Sequence, residues 1–92
     1  QAIAEKIAAI ARHSQVLCIS HLPQVAAMAD QHLFIEKKVS KDRTTTLVKE
    51  LAGRKRTEEM SRMLSGAEIT ELTLQHADEL LTLARDRKLL MK

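Results

Sequence analysis

Ile3, Ile7, Ile10 and Ala11 recur at helical spacing with Ala4 beside them, while Glu5, Lys6 and Arg12 fall off that face, which predicts an amphipathic helix over 2–13. The run from Val16 to Ile19 is then continuously apolar and includes β-branched residues. That pattern fits a strand covered on both faces of a mostly parallel sheet. Ser20, His21 and Leu22 lead to Pro23, whose missing N–H suits the first turn of a helix; a short helix through Ala29 is expected. From His32 to Val39 the pattern alternates, with Leu33, Ile35 and Val39 on one side and Phe34, Glu36 and Lys38 on the other, as in a half-exposed strand. Ser40, Lys41, Asp42 and Arg43 make a hairpin loop, and Thr44 to Leu51 resumes in β-favouring residues.

Gly53 closes the sheet portion. Thr57, followed by Glu58 and Glu59, marks a helix start, with Met60, Met63 and Leu64 as its apolar stripe. Ser65 and Glu68 have the spacing of a capping box, which places the start of a last helix near Gly66 or Ala67 and its end near Leu90. Ala77, Leu80, Leu81 and Ala84 form its buried face, and Leu89, Leu90 and Met91 break the amphipathic pattern as if to dock elsewhere. The expected order is helix, buried strand, short helix, β-hairpin and two helices, a single α/β unit over 1–92 with an incomplete sheet. Two hairpin strands are too few to cover a strand apolar on both faces. Self-association, by exchange of elements between copies, is therefore expected of the chain in isolation.

With 92 residues the chain buries only about two-thirds of the surface exposed on unfolding, so one core is the limit. Aromatics make up 1% of residues, Phe34 alone, and the core must come from Leu, Ile, Val, Ala and Met. No apolar run approaches the ~20 residues of a membrane span, and the chain reads as soluble and intracellular. It starts at Gln1 in near-helical pattern, as an excised piece would. Cys18, within an apolar string and without a CxxC partner, is expected to be a buried packing residue. The net charge of +3 and pI near 9.3 permit contact with nucleic acid without demanding it.

His21 is the principal chemical candidate, because it stands where an apolar strand gives way to a helix. Ligands of open α/β sheets gather just beyond the carboxyl ends of strands, where an imidazole can donate to a phosphate oxygen. A histidine that merely closes a loop is the plainer reading of position alone. The surrounding string decides between them: VLCISHLPQVAAMAD, residues 16 to 30, closely resembles the switch-histidine segment of ABC-type ATPases in the form carried by the SMC-like RecN family. QHLFIEKK resembles the strand after the switch helix, and EEMSRMLSG with the later HADELL resembles the end of the same proteins. The resemblance covers essentially the whole chain and is most specific over residues 15–38.

The resemblance implies the C-terminal part of an ATPase head acting in DNA double-strand-break repair and recombination, in the nucleoid of the cytoplasm. In such a family two heads sandwich ATP with Mg2+, and the switch histidine, here His21, approaches the γ-phosphate as its catalytic and nucleotide-sensing group. The implied partners are the N-terminal part of the same head, a second head in a homodimer, and DNA. A GxxxxGK[ST] loop cannot be formed, since Gly53 and Gly66 are the only glycines, and no apolar strand ends in an Asp-Glu pair. The isolated chain is expected to be inactive. LSGAE at Leu64–Glu68 looks like the family's LSGGE signature but follows the histidine instead of preceding it, so a helix cap is the better reading.

His13, His32 and His76 share no metal-binding spacing with His21, and His76 is placed at the edge of the last helix's core. Gln24 lies near the phosphate position but receives no role. Arg54, Lys55 and Arg56, with Lys37, Lys38, Lys41, Arg43 and Lys49 on the hairpin, could meet DNA phosphates, although without aromatic platforms they read better as a solvated surface. A stand-alone basic nucleic-acid-binding module, or the end of another ABC ATPase such as a transporter subunit, are the competing functions.

Overall fold

Chain order in the computed structural model, which describes residues 2–66 and 68–91, runs α1 (Ala2–Ala11), α2 (Pro23–Ala27), β1 (His32–Ser40), β2 (Arg43–Leu51), α3 (Arg54–Ser65) and α4 (Glu71–Leu90). Mixed helix and strand is therefore the observed class, with the hairpin and four helices in the expected order. α1 buries Ala4 and ends at Ala11, two residues before the expected point. β1 and β2 pair antiparallel from His32↔Leu51 to Ser40↔Arg43, so the turn contracts to Lys41 and Asp42, with Lys41 at a left-handed φ of 46°.

The buried strand expected at Val16–Ile19 does not form. Residues 15–22 carry no regular secondary structure, and Leu17 and Ile19 are 85% and 91% exposed. A strand exists only when a neighbour satisfies its N–H and C=O groups, and the single sheet among the described residues contains only β1 and β2. Cys18 is accordingly exposed, not a packing residue.

Of the two sides of the hairpin, the one carrying Phe34 faces inward. His32, Phe34 and Glu36, with Leu47 and Leu51 across the ladder, are half-buried, whereas Leu33, Ile35, Val39 and the Ile35 partner Val48 face outward. Phe34 goes to the protein side and the aliphatic row is left uncovered among the described residues.

Two helix starts differ from expectation. α3 begins at Arg54, directly after Gly53, whose φ of 57° and ψ of −133° turn the chain out of β2. Thr57 lies inside the first turn, where its hydroxyl donates back to Gly53 O at 3.3 Å instead of capping. Ser65 closes α3 by donating to Ser61 O at 2.8 Å and does not open α4. The cap of α4 is Thr70, whose Oγ1 accepts from Thr73 N at 3.2 Å while Thr73 Oγ1 accepts from Thr70 N at 2.8 Å. Glu68 to Thr70 precede the helix, and Ala67 lies outside the described residues.

Ala4, Ala27, Met28, Met60, Ala77 and Ala84 form the core, edged by Ala8, Val25, Ala26, Met63, Leu64, Leu80, Leu81 and Met91. The α4 stripe read from the sequence is thus the observed one. Alanines let the helices approach, and the unbranched methionines fill the remaining gaps. Ser61, fully buried on α3, donates to Thr73 Oγ1 at 2.8 Å and ties the middle of α3 to the cap of α4. α1 is fastened to α4 by Arg87 Nε–Glu5 Oε1 at 2.6 Å and by Arg12 donating to Met91 O. The radius of gyration is 14.6 Å, against about 12 Å for a fully compact chain of this length. The hairpin and the 15–22 segment account for that extension, because neither is enclosed by the helical core.

Met60→Ala should cost about 2–5 kcal/mol, since it empties a fully buried site. Thr70→Ala should cost about 1 kcal/mol through the lost cap. Urea denaturation of the two variants checks both values and their order.

Candidate functional site

His21 is positioned from one side. Its N-terminal neighbours are irregular and exposed, while Leu22, the N-cap residue of α2, follows it and donates its N–H to Ser20 Oγ at 3.0 Å. Pro23 opens the helix as its missing donor predicts. The imidazole itself is exposed. Among the described residues no sheet rim lies beneath it, because Val16–Ile19 forms no strand. Gln24 is half-buried at the next helical position.

The opposite end of α2 is held by two cations from different helices. Arg56 Nη2, from the first turn of α3, donates to Ala29 O at 2.9 Å and also faces Ala26 O at 3.2 Å and Ala27 O at 3.4 Å. Lys88 Nζ, from the end of α4, reaches Ala29 O at 3.4 Å and pairs with Asp30 at 2.9 Å. The last carbonyls of a helix lack internal donors and carry partial negative charge, so cations here satisfy both needs. Burial lowers the Arg56 pKa and Asp30 opposes the shift, but a guanidinium remains charged throughout the physiological range.

Arg56 was hidden in the sequence by the misplaced start of α3. Counted from Arg54, it lies one turn before Met60 and shares the inward face of Met60 and Met63, whereas a helix beginning at Thr57 leaves it in a loop. Its neighbours Arg54 and Lys55 are exposed as expected of a solvated surface, with Arg54 paired to Glu58 at 3.5 Å. Lys37, Lys38, Lys41, Arg43 and Lys49 are likewise exposed on the hairpin, Lys38 facing Glu36 at 3.7 Å.

The histidines do not converge. His13 and His76 are exposed, so His76 does not edge the core of α4; the face carrying Ala77, Leu80 and Ala84 turns it outward. Among the described residues no group of three His, Cys, Asp or Glu side chains is placed to hold a metal ion. His32 is half-buried beside Arg56 and Glu59, and its Nδ1 is buried without a hydrogen-bond partner among the described residues. Two shallow grooves occur elsewhere: one of about 140 Å³ between Ala8, Arg12, Asp30, Lys88 and Met91, the other along Arg54, Thr57, Glu71 and Asp78. His21 lines neither. Leu64, Ser65, Gly66 and Glu68 of the LSGAE string lie at the α3–α4 corner, where Ser65 Oγ meets Ser61 O and Glu68 O, a helix-end role although not the expected cap of α4.

Against known proteins, the chain is 60% identical over 88 residues, 96% of its length, to the DNA repair protein RecN of Halalkalibacterium halodurans. It is 58% identical over 81 residues to RecN of Bacillus subtilis and 40% identical over 89 residues to RecN of Treponema pallidum. The chain belongs to the RecN family. It matches the C-terminal part of those proteins and spans no more than 16% of the length of these three relatives. No family model matches it. No helix among the described residues is long and apolar enough to cross a membrane.

Burial depresses the His32 pKa below its usual 6.5, with the Arg56 charge acting in the same direction and Glu59 against it. The unfolded chain therefore takes up a proton first as pH falls. The stabilising contribution is complete above about pH 6.5 and is lost as pH drops through the lower folded-state value. Urea midpoints between pH 7.5 and 5.5 should fall with acidification, and His32→Gln should flatten that slope.

Proposed function

We propose that this chain is the C-terminal part of an ATPase head in a RecN-type DNA repair protein, with His21 as the switch histidine that senses the ATP γ-phosphate where two heads meet. The observation that carries the reading is the position of His21, an exposed imidazole at the junction between an apolar segment lacking its sheet and a helix anchored at its far end. When the N-terminal part of the head supplies neighbouring strands, Val16–Ile19 becomes an interior strand and His21 stands at its carboxyl rim. That placement suits a ligand site of an open α/β sheet.

These residues cannot hold a nucleotide by themselves. The chain has neither a phosphate-cradling loop nor the acidic pair that would carry Mg2+, so both belong to polypeptide outside it. The contribution of His21 is confined to one donor, aimed where negative charge is redistributed as the γ-phosphoryl group leaves. An isolated copy is inactive, and its uncovered segment 15–22 favours pairing with a second copy. In the cell the reading places the protein at the nucleoid, acting in double-strand-break repair through engagement of two heads.

In the full-length protein, His21→Ala should reduce ATP turnover on the order of a hundredfold with ATP affinity retained; unchanged turnover in a steady-state assay would sink the assignment. Cys18 supplies a second check through the same packing. Its thiol should react freely with a disulfide reagent in the isolated chain and be protected in the complete head, and equal reactivity would deny that residues 16–19 are covered there. The exposed hairpin cations favour a second reading, a basic nucleic-acid-binding surface. Salt-dependent DNA affinity that survives His21→Ala and is lost on replacing Lys37, Lys38 and Lys41 would identify it.

A further inference from the structure

We propose that Arg56 is a positioning residue for His21, acting through helix α2. The proposal rests on the reading of His21 given above and adds the device that fixes where the imidazole stands. Residues 15–20 give His21 no regular backbone support in this chain; in the complete head the strand proposed for Val16–Ile19 holds its N-terminal side, and α2, which begins two residues later, holds the other. That helix has five residues. One turn of helix fixes several backbone dihedrals for little hydrogen bonding and does not persist unaided, so its population is set by what grips it.

Its inner side is gripped by burial of Ala27 and Met28. Its carboxyl end is gripped by Arg56, one nitrogen of which faces the carbonyls of Ala26, Ala27 and Ala29 at 2.9 to 3.4 Å. Lys88 reaches only one of the three and divides its charge with Asp30. It cannot replace a planar donor fork whose stem is fixed by half-burial on α3.

Arg56 also stands three residues beyond Gly53, where β2 turns into α3. The hairpin and the histidine helix are thereby connected through one side chain. When that contact is lost, α2 frays from its carboxyl end and His21 leaves its line to the phosphoryl group, while nucleotide binding, carried by residues elsewhere, is unaffected.

The test is a double-mutant cycle in the full-length protein. Arg56→Gln should lower kcat roughly tenfold to a hundredfold, as misplacement of a reacting group by about 1 Å does, and leave the KM for ATP unchanged. Arg56→Lys should recover part of the loss. Arg56→Gln combined with His21→Ala should be no slower than His21→Ala alone, because a residue acting only through His21 has nothing left to position. Amide hydrogen exchange supplies the second readout: residues 24–29 should exchange faster in Arg56→Gln while α4 keeps its protection.

Losses that add in the double variant, or exchange in α2 that matches the wild type, would overturn the proposal. If His21→Ala leaves turnover intact, the phosphate-sensing reading falls separately, and the exchange at α2 still decides whether Arg56 is its clamp.

Discussion

A five-residue helix cannot supply its own stability, and everything placed by α2 depends on the cations that close its carboxyl end. Arg56 and Lys88 arrive from α3 and α4, and Ala29 O accepts from both. This convergence joins three helices at a point where a bare helix terminus would leave carbonyls without donors. Ala27 and Met28 contribute the apolar half of the same junction. α3 packed on α4 thus presents Arg56 to the end of α2, and α2 adjoins the residue just ahead of it.

The remainder of the molecule is explained by a shortage of core. Its buried residues are alanines and methionines with one serine, while Ile3, Ile10, Leu17, Ile19, Ile35, Val39 and Val48 remain exposed. On the proposed reading these surfaces face the rest of an ATPase head. The apolar run at 16–19 is the sharpest case, because its sequence fits a doubly covered strand and the described residues leave it exposed.

Much of the fold was legible because it is local. The stripe of α4, the alternation in β1 and the Pro23 start each need only a few neighbouring residues to be recognised. What failed required information from elsewhere in space. A strand at 16–19 needs neighbours, and the burial of Cys18 needed that strand. Thr57 and Ser65 have hydroxyls suited to capping, but both turned back to carbonyls four residues earlier, at Gly53 and Ser61. The true cap, Thr70 with Thr73, used threonine in the position where the expected box has an acid. Arg56 is concealed among three consecutive basic residues, and only the start of α3 at Arg54 sets it on the inward face. Identity was legible for another reason: residues 15–38 carry a distinctive string, and likeness to RecN proteins extends across nearly the whole chain.

The central claim is a position in space, that of one imidazole relative to one phosphate. The most direct measurement is a structure of the full-length protein with a non-hydrolysable ATP analogue bound between two heads. The account predicts residues 16–19 paired as an interior strand, α2 capped by Arg56, and a ring nitrogen of His21 within about 3 Å of a γ-phosphate oxygen. A His21 ring directed away from the nucleotide in the engaged heads, with residues 16–19 still unpaired, would contradict it.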